Sequence, residues 1–212
     1  MIRLLAICAF IPLAVLAQAA TPEERLFEAL HESKPLVAEG IVLRGKPNLN
    51  ARNATGETPL HVAIEKSYKE LTELLIKSGA SLTARTKNSE TPLHYAAMHS
   101  DTFYVELLLH AKAEPKVRND DGESPLQWAI MTGNTDTARL LLQAGADLKV
   151  KDLKGNTVMH AAADGGYEEL VRLLLQLGVD PKERNHEGRL PLDMARERGY
   201  KEVVEMLEKL SR

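Results

Sequence analysis

The sequence predicts an all-α solenoid of helix-turn-helix repeats joined by extended, β-hairpin-like connectors. Three observations carry that expectation: a 33-residue segment recurs five times in one register, a helix start is rebuilt at the same place in each copy, and an apolar pair returns further along each. In rows of 33, Thr58-Pro59-Leu60-His61 stands above Thr91-Pro92-Leu93-His94, Ser124-Pro125-Leu126-Gln127, Thr157-Val158-Met159-His160 and Leu190-Pro191-Leu192-Asp193. Ala63, Ala96, Ala129, Ala162 and Ala195 form a second column. Leu74-Leu75, Leu107-Leu108, Leu140-Leu141, Leu173-Leu174 and Met206-Leu207 form a third. A fixed period of this length marks a repeat architecture, in which each unit buries its apolar face against its neighbours.

The first 19 residues stand apart from the rows. Arg3 is followed by an uncharged apolar run from Leu4 to Ala17, interrupted by Pro12. The run is shorter than the roughly 20 residues of a membrane-spanning helix. Ala17 and Ala19 supply a small-x-small cleavage pattern, so residues 1–19 are expected to be a secretory signal peptide and the mature chain to start near Ala20. The only cysteine, Cys8, would leave with it, which removes thiol chemistry and disulfides and suits an oxidising compartment.

Residues 20–52 are expected to form a degenerate N-terminal capping repeat. Moving the register back one row puts Leu26, Phe27, Leu30, Ile41 and Val42 in the buried columns, but Glu28 stands where later rows have His. Full repeats are expected at 53–85, 86–118, 119–151 and 152–184, and a C-terminal capping repeat at 185–212. Each full row starts with a Thr or Ser that can cap a helix, and in most rows a Pro follows at the first helical position, where its missing N–H is harmless. In the row 119–151 a first helix is expected over Pro125–Met131, then a reversal at Gly133-Asn134. A second helix with Ala138, Leu141 and Leu142 on one face follows, ended by Gly145 in the left-handed region. The last helix, about Lys201 to Leu210, sets Val203, Val204 and Leu207 against Lys201, Glu202, Glu205, Glu208 and Lys209, so one face packs inward and the other meets water.

Composition agrees with a packed, solvated chain. Of 212 residues, 44% are hydrophobic, 27% charged and 4% aromatic, with 13 Gly and 10 Pro, which excludes collagen, a disulfide scaffold and a polar disordered tail. A formal charge of -3 argues against a nucleic-acid partner. Loss of Arg3 with the leader makes the balance one unit more negative.

These rows resemble ankyrin repeats, whose pattern of Gly, Thr-Pro-Leu-His, Ala, Leu-Leu and Gly-Ala is fullest at Gly56 to Ala80 and Gly122 to Ala146. The resemblance covers 53–212 well and 20–52 weakly. With an export signal in front, the chain is similar to periplasmic ankyrin-repeat proteins of bacteria. Ser89 and Lys112 replace the family's Gly, and Val158 its Pro, departures that bear on the rigidity of the second and fourth full rows. The resemblance implies a monomeric, non-enzymatic scaffold that binds another protein, needs no cofactor or metal, and touches no membrane once the leader is cleaved. Narrower roles open to such a protein are a periplasmic immunity or inhibitor protein blocking a toxin or hydrolase, an accessory factor for an oxidative-stress enzyme such as a catalase, and a secreted effector acting in a host cell.

Two surfaces qualify as binding sites. Arg52, Arg85, Arg118, Lys151 and Arg184 recur at the connector tips, where stacking aligns them into a basic edge able to steer an acidic partner, or into ordinary solvated surface. Ankyrin stacks use connector tips and the adjoining first-helix surface to hold proteins. By matching position this surface comprises Glu57, Glu65 and Lys66 in the first full row, then Lys87, Glu90, Met98 and His99. Asp120, Asp121, Glu123, Met131 and Thr132 follow in the third row, and Leu153, Lys154, Asn156 and Asp164 in the fourth. Met98, Met131 and Leu153 are apolar at positions expected to be exposed, and so are candidate anchors.

Chemistry is not indicated elsewhere. His61, His94 and His160 lie one or more whole repeats apart, about 8–10 Å per packed helix layer, too far for neighbours to share one metal ion. In the family this His bonds within and between repeats, and Gln127 and Asp193 are expected to do something similar. No G-x-S-x-G elbow, phosphate loop or H-E-x-x-H pair occurs. Val62, Tyr95, Trp128, Ala161 and Met194 share a column that is apolar in every row and is expected to be core.

Overall fold

The computed structural model describes residues 20–209, as helices, turns and loops without a strand. The segment 1–19 expected to be a leader, and Leu210 at the end of the last helix, lie outside the described residues. Among the described residues twelve helices pair in chain order: α1 (Pro22–His31) with α2 (Pro35–Gly45), α3 (Pro59–Glu65) with α4 (Lys69–Lys77), and α5 (Pro92–Ala97) with α6 (Phe103–His110). After them come α7 (Pro125–Met131) with α8 (Thr135–Gln143), α9 (Val158–Asp164) with α10 (Glu168–Gln176), and α11 (Pro191–Arg198) with α12 (Lys201–Lys209). The odd-numbered helices pack side by side in one layer from α1 to α11. Even-numbered helices form the other, with α2, α4, α6 and α8 in succession and α10 against α12. No described helix is long and apolar enough to cross a membrane.

The core lies between the two layers and is built from the repeated columns. Leu60, Leu93, Leu126, Met159 and Leu192 on the first helices are buried against Leu75, Leu108, Leu141, Leu174 and Leu207 on the second. Helices of six to eleven residues would be marginal alone, and burial of these columns between neighbours is what holds them. Tyr104 in α6 is the largest fully buried side chain among the described residues and fills the row whose hairpin is irregular. In that row Ser100-Asp101 replaces the Gly-Asn reversal, α5 ends one residue early, and Asp101 Oδ1 instead accepts the amide of Phe103 at 3.0 Å.

Left-handed residues end the elements where the sequence places them, including the two departures. Ser89 (φ 62°) and Lys112 (φ 70°) adopt the conformation that Gly122 (φ 77°) and Gly145 (φ 92°) adopt one row later. A side chain in this region strains the backbone, so both sites store strain that glycine would not. At Gly56 the backbone also has no room: a Cβ there would lie 2.8 Å from the amide nitrogen of Lys87 in the next repeat.

The two ends differ. At the C-terminus Val203 and Leu207 are buried and Val204 half-buried, while Lys201, Glu202, Glu205 and Lys209 meet water, as the alternation predicts. On α2, by contrast, Leu36 is 79% and Leu43 65% exposed, and Val37 is exposed beside them. Leu43 stands one row ahead of Ile76, Leu109, Leu142 and Leu175, which pack against the core. Those residues each have a preceding helix pair beside them; among the described residues Leu43 has none.

Candidate protein-binding surface

Each connector tip is a turn closed by a backbone hydrogen bond across five residues: Asn53 N–H to Glu57 O, Thr86 to Glu90, Asn119 to Glu123, Asp152 to Asn156 and Asn185 to Arg189, all 2.9–3.1 Å. Polar side chains lock the turns from inside. Asn53 Oδ1 accepts the amides of Thr55 and Glu57, and Asp152 Oδ1 those of Lys154 and Asn156. Successive tips are then stitched together by Lys87 N–H to Thr55 O, Asp120 to Asn88, Leu153 to Asp121 and His186 to Lys154. The connectors thus form one continuous rigid edge, hairpin-like in hydrogen bonding though no residue in it is strand.

The regularly spaced histidines hold this edge to the helices. His61 Nδ1 accepts from the amide and hydroxyl of Thr58 at 3.2 and 2.9 Å, which leaves the ring proton on Nε2 to be donated to the Glu90 carbonyl at 3.3 Å. His94 repeats the arrangement with Thr91 and Glu123, and His160 with Thr157 and Arg189. Gln127 and Asp193 reproduce the bond within the repeat, accepting the amides of Ser124 and Leu190. Burial disfavours the charged imidazolium, so the pKa values of His61 and His94 fall to about 4, against a weaker upward pull from the bonded carbonyls.

The basic column is occupied with internal bonds. An Arg52 Nη1 donates to the Arg85 carbonyl, and Arg85 Nη1 donates to the Arg118 and Ser89 carbonyls at 2.8 and 2.9 Å. Lys151 pairs with Glu183 at 2.5 Å, and Arg184 donates to the Gly188 carbonyl. The Arg118 guanidinium alone has no hydrogen bond or ion pair among the described residues. Three of the five cations, Arg52, Arg85 and Lys151, therefore brace the next tip and Arg184 closes its own, roles the sequence reading did not include.

The first-helix column expected to be core is split. Val62 and Met194 are buried, but Tyr95, Trp128 and Ala161 keep part of their surface in solvent. The Tyr95 and Trp128 rings lie 6.3 Å apart, each edge-on to the histidine of the preceding repeat. Tyr95 Oη donates to Glu57 at 2.8 Å, and Trp128 Nε1 to Glu123 at 2.7 Å. Burial pushes the Glu57 carboxyl up, yet hydrogen bonds from Asn53, Thr55 and Tyr95 outweigh it and hold the group below its ordinary value. Large side chains were read as core because apolar character recurs in the column. What marks Tyr95 and Trp128 as surface is the Glu five residues before each, which gives their polar atoms a partner at the rim.

Further along the same layer, the last three repeats enclose a groove of about 510 Å³. It gathers seven of the predicted positions: Asp121, Glu123, Met131, Leu153, Lys154, Asn156 and Asp164. Leu153 is 67% and Met131 49% exposed. Missed by the sequence reading were Arg189 and Arg198, which line the groove paired with carboxylates: Arg198 reaches Asp164 of the preceding repeat through two bonds of 3.1 Å, and Arg189 pairs with Glu187 and Glu197 of its own. Asp164 and Arg198 sit one repeat plus one residue apart, a spacing that could have suggested the pair. Glu65, Lys66, Lys87, Glu90, Met98, His99, Asp120 and Thr132 lie outside the groove. Of these, Thr132 Oγ1 bonds to the Trp128 carbonyl at 2.9 Å, and His99 is half-buried against the Tyr104 ring.

A stack of paired helices with a rigid connector edge and a half-buried aromatic face defines a repeat-built solenoid. The family model for ankyrin repeats matches residues 26–119, 73–152, 101–185 and 144–210, so the chain belongs to the ankyrin-repeat family. Members of this family are in general non-enzymatic scaffolds that bind other proteins. Comparison with curated proteins finds no match for this chain.

Proposed function

We propose that this chain is a non-enzymatic interaction scaffold, exported to the periplasm as a monomer after cleavage of residues 1–19, that binds a partner protein through its connector tips and first-helix surface. The observation that supports it best is the exposure of Met131 and Leu153 on the groove of the last three repeats. Both sit on elements fixed by hydrogen bonds, and apolar side chains held out in water at a concave site lower the free energy of association when a partner covers them. Export rests on the apolar run Leu4 to Ala17 with its Ala17-x-Ala19 ending, and the absence of any cysteine after Cys8 suits that compartment.

The test is affinity capture from periplasmic extract of the source cells, with Met131→Glu and Leu153→Glu chains as controls. A protein retained by the parent and lost with both variants supports the reading; retention equal on all three would refute the surface. Edman sequencing of the chain recovered from the cell envelope checks export separately. A processed start at Ala20 is expected, and an intact Met1 would contradict it.

A further inference from the structure

The groove fixes the kind of segment that fits it, an inference that rests on the binding role just proposed. Its apolar part is small and specific. Met131 and Leu153 stand exposed, with half-buried Ala161 and buried Met194 among the other lining residues. That is room for one aliphatic or aromatic side chain, and too little for a large hydrophobic interface.

The walls are unequally charged. Asp121, Glu123, Asp152, Asp164 and Glu187 line the groove together with three cations, Lys154, Arg189 and Arg198. The two arginines are already neutralised, Arg198 by Asp164 and Arg189 by Glu187 and Glu197. Asp121, Glu123 and Asp152 then face a single Lys154. None of the three is in an ion pair among the described residues. Glu123 Oε2 is held by Trp128 and Asn119, and Asp152 by its own turn, so these carboxylates are fixed in place before any partner arrives. The Asp121 carboxylate has no bond at all within the described residues.

The same sign continues toward the N-terminal repeats, past the Tyr95 and Trp128 rings. Glu57 and Glu90 flank Tyr95, and neither is ion-paired among the described residues. An aromatic face beside fixed carboxylates attracts a cation twice over, through the ring quadrupole and through the charge. Packed helices are spaced about 8–10 Å, and an extended chain advances about 3.3 Å per residue, so a segment lying along this face presents roughly one side chain in three to each repeat.

We propose that the occupant is an extended basic segment of a partner protein, seating one apolar side chain between Met131 and Leu153 and placing Lys or Arg side chains against Asp121 and over the Trp128–Tyr95 face. The complementarity is of charge and of size: a net anionic groove with one apolar seat.

A random dodecapeptide library displayed on phage and panned on the purified protein tests this. Enriched peptides are expected to carry an excess of Lys and Arg around an aliphatic or aromatic residue. Their affinity, read by fluorescence polarisation, should fall roughly ten-fold or more with Leu153→Glu and with Asp121→Lys, and should weaken as salt rises. Both side chains are exposed, so an unchanged melting curve shows that each variant folds. Acidic or uncharged winners, no winners, or winners indifferent to both substitutions overturn the proposal. If the peptides are not basic while capture of a whole protein still requires Leu153, the charge assignment falls and the binding role stands. If capture ignores Leu153 as well, the role itself falls.

Discussion

Acidification should loosen this stack in a window set by its buried histidines, since burial also lowers the pKa of His160 and His99, and a single substitution separates the contribution of His94 from the rest. His61 and His94 have an ordinary pKa of 6.5 and a folded value of about 4, because burial penalises the imidazolium. A depressed folded value means the unfolded chain binds the proton first. The stabilisation is complete above about pH 6.5 and is lost as pH falls toward 4. Between about pH 7.5 and pH 5 each histidine should remove about 2 kcal/mol of stability, about 4 kcal/mol for the pair. Asp101 and Glu57 are held below their ordinary values, so they act mainly at still lower pH. Gln127 stands in the histidine column and keeps the bond to its own helix start, so His94→Gln should retain that bond and lose the one from Nε2 to the Glu123 carbonyl. At neutral pH the variant should be about 1 kcal/mol weaker. By about pH 5 the order should have reversed, the variant being about 1 kcal/mol the more stable because it has one fewer site to protonate on unfolding, a relative shift of about 2 kcal/mol. Urea unfolding followed by far-ultraviolet circular dichroism across this range is the measurement. Parallel curves for parent and variant would show that His94 is not kept neutral by the fold.

Two further outcomes follow from the packing and the turns. Leu141 is fully buried between the layers, so Leu141→Ala should cost about 2–5 kcal/mol through lost contact and a residual cavity; an unchanged urea midpoint would mean the buried face is wrongly assigned. Ser89 and Lys112 sit at φ 62° and 70°, and Ser89→Gly or Lys112→Gly should raise stability by up to about 1 kcal/mol each by relieving the left-handed strain. Lower melting temperatures in both would show that the side chains supply more than the strain removes.

The period of 33 made the fold legible because the stack requires the same contact in every row. A hydroxyl before the first helix, an apolar residue at the position of Leu60 or Leu93, and a left-handed residue after the second helix answer local demands, and local demands leave sequence marks. Helix α7 begins at Pro125 and ends at Met131 where those marks place it. Side-chain geometry between repeats left weaker marks. The Arg52 and Arg85 ladder looks, in sequence, the same as a free basic edge, since a guanidinium bonded to a carbonyl and one in water have the same neighbours in the chain. Tyr95 and Trp128 were misjudged for a related reason. Hydrophobic recurrence reports that a column is covered somewhere, without saying that ring edges stay open on one side.

Recognition in such a stack belongs to the positions where the rows disagree. The column Glu57, Glu90, Glu123, Asn156, Arg189 accepts the same backbone turn in every repeat, yet its side chains pass from anionic through neutral to cationic. The aromatic column changes from Val62 through Tyr95 and Trp128 to Ala161 and Met194 over the same distance. Because the turn itself uses only the backbone at the first of these columns, its side chains can differ from row to row, and the gradient they form has a sense along the solenoid. The basic segment proposed above should therefore bind in one direction, with its more cationic end toward the repeats of Tyr95 and Trp128. Reversing Arg189 to Glu should weaken that directional preference, even though Arg189 is neutralised by Glu187 and Glu197 and its loss also frees both carboxylates.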